Sequence, residues 1–272
     1  MGLGQVKTIT SLTNARVKAV RALDMRKTRR ETGLFVAEGG ALLMTARQAG
    51  YRPETLLFIA QEKMPPATED YIDWAMAEGV ECLSVNQAIL AKLTGKDNPQ
   101  SVVGVFAQDW AELPQADEVG SGDVWLALEE VRDPGNLGTI IRTSDAAGVK
   151  GIVLVGNCCD PYQRECVRAT MGSIFSVPLV KTSVESFLHW RRDWRGDVAG
   201  LHLQGSEDFR KAKLARPAMI VMGSEGPGLS NEVDQACTKK LRIPMAGTLD
   251  SLNLAVATAL VLYEVQRESL RV

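Results

Sequence analysis

M-I-V-M-G-S-E-G-P-G-L-S, residues 219–230, and L-R-I-P-M-A-G-T-L-D-S-L-N-L-A-V-A-T-A-L-V-L-Y-E, residues 241–264, contain two strand-like runs, each ending in a glycine turn. In the first turn Gly223, Gly226 and Gly228 surround Glu225 and Pro227. Glycines at that density let a backbone take left-handed conformations and approach a ligand closely. The second run, 241–244, leads to Gly247, and Asp250 or Ser251 is placed to cap the helix that follows. That helix, 252–263, is apolar on nearly every face, which predicts burial, and its 12 residues are too few to cross a bilayer. Asn253 is therefore expected to be a buried amide in need of partners, although helix capping alone would account for an asparagine there.

Upstream of this stretch, strands are expected at 124–128, 151–155, 174–180, 198–203 and 218–222, with 241–244 the last and helices between most of them. Alternating strands and helices indicate an α/β fold, in which ligands sit at strand ends. Ahead of it, 11–30 reads as a basic helix. Strands at 33–37, 56–60, 80–85 and 102–107 then alternate with helices at 40–49, 68–78 and 87–93, giving a second, smaller α/β domain. The acidic segment Q-D-W-A-E-L-P-Q-A-D-E-V-G-S-G, with its proline and glycines, is the expected linker, so the domains are 1–107 and 123–272 with 108–122 between them.

The composition is that of an ordinary globular protein: 272 residues, 45% apolar and 24% charged. No segment resembles a signal peptide or reaches transmembrane length, so a cytoplasmic protein without membrane contact is expected. Five cysteines with no C-x-x-C argue against a disulfide framework, and adjacent Cys158 and Cys159 read as buried or incidental thiols. His189 and His202 are the only histidines, so no metal is expected. A net charge of -2 conceals an asymmetry: residues 1–30 carry eight Lys/Arg against one acid, and 51–130 carry four against fifteen. A basic N-terminus suits a polyanionic partner, while a solvated basic helix is the commoner meaning of such a run.

The first strand of the larger domain runs into V-R-D-P-G-N-L-G-T-I-I-R-T-S-D-A-A-G, residues 131–148. Pro134 and Gly135 make a turn, Asn136 can start a helix, and Arg142 is expected one to two turns inside it, at a semi-buried edge. Taken alone, Asn136 is a frequent kind of N-cap and Arg142 a surface arginine. There is no G-x-G-x-x-G, Walker lysine or G-x-S-x-G elbow. Glu225 in the glycine turn would repel a phosphate but suits a ligand bearing positive charge.

Three ordered blocks, D-P-G-N-L-G-T-I-I-R-T-S-D-A-A-G, V-M-G-S-E-G-P-G-L-S and I-P-M-A-G-T-L-D-S-L-N-L-A-V-A, resemble the motifs of SpoU-type (TrmH-like) RNA 2′-O-ribose methyltransferases of the knotted SPOUT group. The N-terminal N-A-R-V-K-A-V-R-A-L-D-M-R-K-T-R-R-E-T-G-L-F-V-A-E-G is similar, more loosely, to the substrate-binding domain often fused ahead of that unit. The resemblance implies an L30e-like α/β domain followed by an α/β trefoil knot, a homodimer, and S-adenosylmethionine held between the second and third glycine turns. It assigns cofactor binding to Met222, Gly223, Gly226, Gly228, Ile243, Met245, Gly247 and Leu252. The active-site positions it matches are Asn136, Arg142, Glu225, Ser251 and Asn253. Ala255 stands where the family often has serine, a minor departure. On the same grounds Ala255 and Ala259 form a small-residue face for close packing in the dimer. Structured RNA is the implied substrate, ribosomal RNA first and transfer RNA as the alternative, with Arg26, Lys27, Arg29, Arg30 and Arg168 as RNA contacts and Arg164 as a further candidate.

Methyl transfer to a ribose hydroxyl needs in-line positioning, worth roughly 7–11 kcal/mol, and an acceptor for a weakly acidic proton. The family's mechanisms give that role to the arginine matched by Arg142. A guanidinium is a permanent cation in proteins, so clamping the target phosphate bidentately is the competing role. A catalytically silent RNA-binding protein on the same fold and a nucleotide-dependent oxidoreductase are the other readings. The intact active-site positions oppose the first, and the missing dinucleotide fingerprint opposes the second.

Overall fold

The computed structural model describes residues 6–60, 64–95, 101–203 and 205–270. The chain forms two compact units, Met1–Gln108 with Tyr162–Phe175, and Asp109–Pro161 with Ser176–Val272.

The first unit begins with β1 (Lys7–Ile9), α1 (Ala15–Ala22), α2 (Arg26–Thr32), β2 (Leu34–Glu38) and α3 (Gly40–Gln48). It continues with β3 (Thr55–Phe58), α4 (Pro66–Ala77), β4 (Glu81–Val85), α5 (Gln87–Thr94) and β5 (Val102–Ala107). The sheet order is β1-β4-β3-β5-β2, with β1, β4 and β3 parallel and β5 antiparallel to both neighbours. Val17 and Val20 of α1 and Ile89 and Leu90 of α5 cover Leu57, Leu83 and Val103 of the sheet. The expected basic helix over 11–30 is two helices. Leu23, Asp24 and Met25 donate to Val20, Arg21 and Ala22, tightening the end of α1 into a corner before α2. Strand β1, outside the sequence expectations, extends the sheet.

The second unit contains β6 (Val124–Glu129), α6 (Pro134–Ala146) and β7 (Ile152–Val155). After β7 the chain enters the first unit as α7 (Arg164–Ala169) and a 3-10 turn, Ser173–Phe175. There Tyr162 and Phe175 stack on Phe35, with ring centroids 4.8 and 5.8 Å away. The chain then resumes the second unit with β8 (Leu179–Thr182), α8 (Val184–Arg191), β9 (Val198–Leu201) and β10 (Glu207–Asp208). The last elements are β11 (Ala218–Met222), α9 (Asn231–Ala236), β12 (Lys239–Arg242) and α10 (Leu254–Val265).

The strand expected over 174–180 thus starts only at Leu179, because Pro178 cannot donate to a ladder and Ile174 and Phe175 are buried elsewhere. The strand expected over 241–244 ends before Pro244 for the same reason. Residues 109–122 lie against β8 and α8: the Ala111 amide donates to Leu179 O at 2.9 Å, and the Trp190 indole donates to Pro114 O at 2.7 Å.

All seven strands of the second sheet are parallel, in the order β10-β12-β9-β11-β6-β7-β8. Parallel strands covered on both faces read as unbroken apolar runs, and every residue of β6 and β11 is buried. Because β12, β9, β11 and β6 are successive neighbours, the loops leaving β12, β11 and β6 emerge close together on the carboxyl edge of the sheet.

Candidate active site

At the end of β6 the chain turns through Glu130, with φ 51°, and enters α6 with Pro134 in its first turn. Asp133 caps the helix, its Oδ1 accepting from the Asn136 amide at 2.6 Å. Asn136 is therefore not the cap expected from the sequence. With the cap supplied three residues earlier, its side chain is free to reach other loops.

It reaches two. Asn136 Nδ2 donates to Glu225 Oε1 at 2.9 Å, and Asn253 Nδ2 donates to Asn136 Oδ1 at 2.9 Å. Asn253 is itself the N-cap of α10, its Oδ1 accepting from the amides of Ala255 and Val256 at 2.9 and 3.3 Å. These end conditions fix both amides. The cap commits the Asn253 carbonyl, the carboxylate takes an Asn136 N–H, and the Asn136 carbonyl must face Asn253. Glu225 Oε2 also accepts from the Arg132 backbone at 3.4 Å.

The loop carrying Glu225 is held from both sides. Ser224 and Gly228 exchange backbone hydrogen bonds of 3.1 and 3.2 Å, and Gly226 and Gly228 have φ of 109° and 75°. Glu129, only 3% exposed, accepts from the Ser230 amide at 2.8 Å and ties the loop to β6. Sequence reading missed Glu129, Arg132 and Asp133 as contributors. The signal was present for Glu129, a lone charge closing an otherwise apolar strand.

The third loop, residues 243–252, has no regular structure. Its peptide groups make no backbone–backbone hydrogen bond among the described residues. A Cβ added at Gly226 or Gly247 would meet nothing within 4 Å. Thiols nearby report the local field. The Cys159 thiol is pushed up to about 12 by burial, then by Cys158 and by the carboxylates of Glu225 and Asp133. Cys158, buried and donating to Leu128 O, is raised to about 11 by burial. Neither is a ready nucleophile.

Several expectations need correction. Asn253 is exposed, not buried, and α10 buries only one face: Ala255, Thr258, Val261 and Leu262 are covered, while Val256, Leu260 and Tyr263 are 49%, 43% and 48% exposed. The covered face packs against α6 and β11, so Ala255 serves the chain's own interior. Asp250 and Ser251 do not cap α10. The Ser251 hydroxyl pairs with Asp250 Oδ1 at 3.2 Å and makes no bond to Asn136 or Asn253. Arg142 is exposed and makes no hydrogen bond or ion pair among the described residues. Six residues beyond Asn136, it lies ~9 Å further along α6 and ~120° around it.

Among the expected RNA contacts, Arg26, Lys27, Arg30 and Arg168 are exposed. Arg29 is 4% exposed, its Nη1 donating to Leu23 O and Asp24 O at 2.8 and 2.9 Å, which commits it to the α1–α2 corner. Arg164 is likewise engaged, with Asp24 and Glu38. Among the described residues no group of three or more His, Cys, Asp or Glu could hold a metal, and no helix is long and apolar enough to cross a membrane.

The parallel sheet brings an asparagine pair and a carboxylate together on its carboxyl-edge loops, the place where α/β proteins hold their ligands. A family model described as the SpoU rRNA Methylase family matches residues 123–263, and one described as an MRM3-like substrate binding domain matches 14–104. The crystal structure of an AdoMet-bound rRNA methyltransferase from Sinorhizobium meliloti is similar throughout: TM-score 0.90, 43% identity, covering 98% of this chain and 100% of that one. The 23S rRNA (guanosine(2553)-2′-O)-methyltransferase of Bacillus subtilis is 28% identical over 96% of this chain and 100% of its own. A 23S rRNA (uridine(2479)-2′-O)-methyltransferase of Streptomyces viridochromogenes is 29% identical over 94% and 90%. The chain belongs to the SpoU rRNA methylase family, and is by that membership an RNA methyltransferase.

Proposed function

We infer that the protein transfers the methyl group of S-adenosylmethionine to a ribose 2′-hydroxyl of ribosomal RNA. The observation that carries this reading is the Glu225–Asn136–Asn253 relay, which joins all three sequence motifs in one place. The two ribosomal-RNA relatives act on a guanosine and a uridine. The ribose hydroxyl is what those targets share, and it also separates RNA from DNA.

The residues present fit the cofactor. The peptides of 243–252 offer unpaired donors and acceptors for an adenine and a ribose, the open sides of Gly226 and Gly247 allow close approach, and the field of Glu225 and Asp133 suits a sulfonium. Met222, Gly223, Gly228, Ile243, Met245 and Leu252 complete the pocket in this reading, Met222 through its backbone because its side chain is buried. When bound, the cofactor supplies an electrophilic methyl group. The protein's part is positional. Asn136, with one N–H and one lone pair uncommitted, orients the 2′-hydroxyl, Glu225 and Asn253 keep its amide from rotating, and Arg142 holds the target phosphate while the hydroxyl proton leaves to that phosphate or to water.

The same reading makes the second unit a trefoil knot and the first an L30e-like RNA-binding domain, and places the enzyme with ribosomal RNA in the cytoplasm. It also makes the enzyme a homodimer. Val256, Leu260 and Tyr263 follow helical spacing on α10 and, with Leu252 just ahead of its cap, form an exposed apolar stripe beginning beside Asn253. Sedimentation should show a dimer that Leu260→Asp converts to monomer. A wild-type monomer at micromolar concentration would remove the stripe's proposed role.

The activity itself is tested by incubating the protein with labelled S-adenosylmethionine and 23S ribosomal RNA, transfer RNA or DNA of equal length. Label is expected on a ribose of the ribosomal RNA and absent from DNA. Label on a base, or on no RNA, would refute the assignment.

A further inference from the structure

Helix α2 carries Arg26, Lys27 and Arg30 on its exposed side, yet little in its own sequence holds it in place. It has seven residues, no side-chain cap at Met25 and no acid in its first turn. A helix that short is marginal by itself, and cations at its amino end oppose the helix dipole. Its placement depends on tertiary bonds at the corner formed by Leu23, Asp24 and Met25. One side of that corner borders an open cleft of about 380 Å³, lined also by Lys92, Thr94 and Gly95, while Leu23 packs into the core beneath, so polar bonds hold the exposed side of the corner.

Two arginines supply bonds at the corner, while Gln108 Nε2 holds α2 further along by donating to Arg29 O at 3.1 Å. Arg29, from within α2, donates to the Leu23 and Asp24 carbonyls. Arg164, from the segment that leaves the second unit's sequence to fold with the first, takes the Asp24 carboxylate. Its Nε and Nη2 donate to Asp24 Oδ1 at 3.1 and 2.5 Å, and its Nη1 donates to Glu38 of β2. The Arg164 side chain is 18% exposed, that of Glu38 1% and that of Asp24 47%, so the Glu38 arm is shielded from solvent and fixes the guanidinium, while the Asp24 arm is a partly exposed pair. The fork joins the end of β2 to the start of α2.

We propose that Arg164 is a positioning residue for RNA: through Asp24 it sets the orientation in which α2 presents Arg26, Lys27 and Arg30. The proposal rests on the reading of α2 as an RNA-binding helix. It differs from a direct Arg164–phosphate contact in the sign it gives to Asp24. Removing a negative charge beside an RNA-binding helix tightens binding by simple electrostatics, whereas loosening the anchor weakens it.

The test uses full-length protein, a ribosomal RNA fragment that it methylates, and three changes: Asp24→Asn, Arg164→Gln and the double variant. Asp24 is on the surface, so Asp24→Asn keeps the fold even if Arg164→Gln, which leaves Glu38 without its guanidinium, does not. Each single change is expected to raise the KM for RNA about fivefold, with kcat and cofactor affinity unchanged, and the double change to be no worse than either, as for two ends of one interaction. Tighter RNA binding by Asp24→Asn, or additive losses in the double variant, would overturn the proposal. A parallel variant with Arg26, Lys27 and Arg30 all changed to Gln separates the two readings. If its RNA affinity and salt dependence match wild type, α2 is not an RNA helix and both readings fall. If it binds weakly while Asp24→Asn binds normally, only the positioning role is lost.

Discussion

Gly223→Ala is expected to lower cofactor affinity by more than about 100-fold and to reduce methyl transfer below detection. The Cβ would lie 2.1 Å from Gly228 C, 2.3 Å from Gly228 O and 2.3 Å from Leu229 N. All three are backbone atoms, so no rotamer change relieves the overlap and the loop must open. Opening it separates the mutual Ser224–Gly228 hydrogen bonds and carries Glu225 away from Asn136. Overpacking of this kind costs about 1–3 kcal/mol, enough to lower Tm by several degrees without unfolding a unit of this size. Gly247→Ala, in the same pocket, is the control for folding alone. The position has open space around it and no positive φ, so the fold and thermal stability should be kept. Calorimetry with S-adenosylmethionine on both variants checks the claim. Wild-type affinity in Gly223→Ala would show that the first glycine loop does not shape the pocket.

Arg142→Ala is expected to cut kcat by roughly 10²–10³-fold, the range for losing one preorganised electrostatic contact in an active site, while cofactor affinity stays within about twofold. The split follows from position. Arg142 takes no part in the Glu225–Asn136–Asn253 relay and sits on a different face of α6, so its loss leaves the cofactor loops as they are. Arg142→Lys keeps the charge but not the planar fork, and should recover only a small part of the rate if the partner is a phosphate held bidentately. Lost cofactor binding in Arg142→Ala, measured by calorimetry, would contradict this assignment.

The alternation of apolar strands and helices was legible because β6 and β11 are buried on both faces and their sequences are apolar without interruption. Periodicity is a local property, and it survives without any knowledge of partners. What failed was equally local in cause. The sequence gives no sign that the basic run over 11–30 breaks at residues 23–25, since the break is made by backbone bonds within the turn. Pro178 and Pro244 each displaced a strand boundary by removing a ladder donor. The helix carrying Asn253 is apolar all round, which in isolation means burial; a single chain covers only the face that α6 and β11 reach.

Residue types and their order along three glycine-punctuated blocks were enough to indicate the family, the cofactor class and which polar positions matter, because a glycine that must admit a backbone, or a strand that must be covered twice, leaves its mark in neighbouring letters. Side-chain partnership leaves no such mark. Asn136 meets Glu225 across 89 positions and Asn253 across 117, Arg164 reaches Asp24 across 140, and Arg29 turns inward among cations that face solvent. Those choices belong to the fold, since a polar group binds whichever partner the packed backbone brings within about 3 Å, and only the assembled structure fixes which one that is.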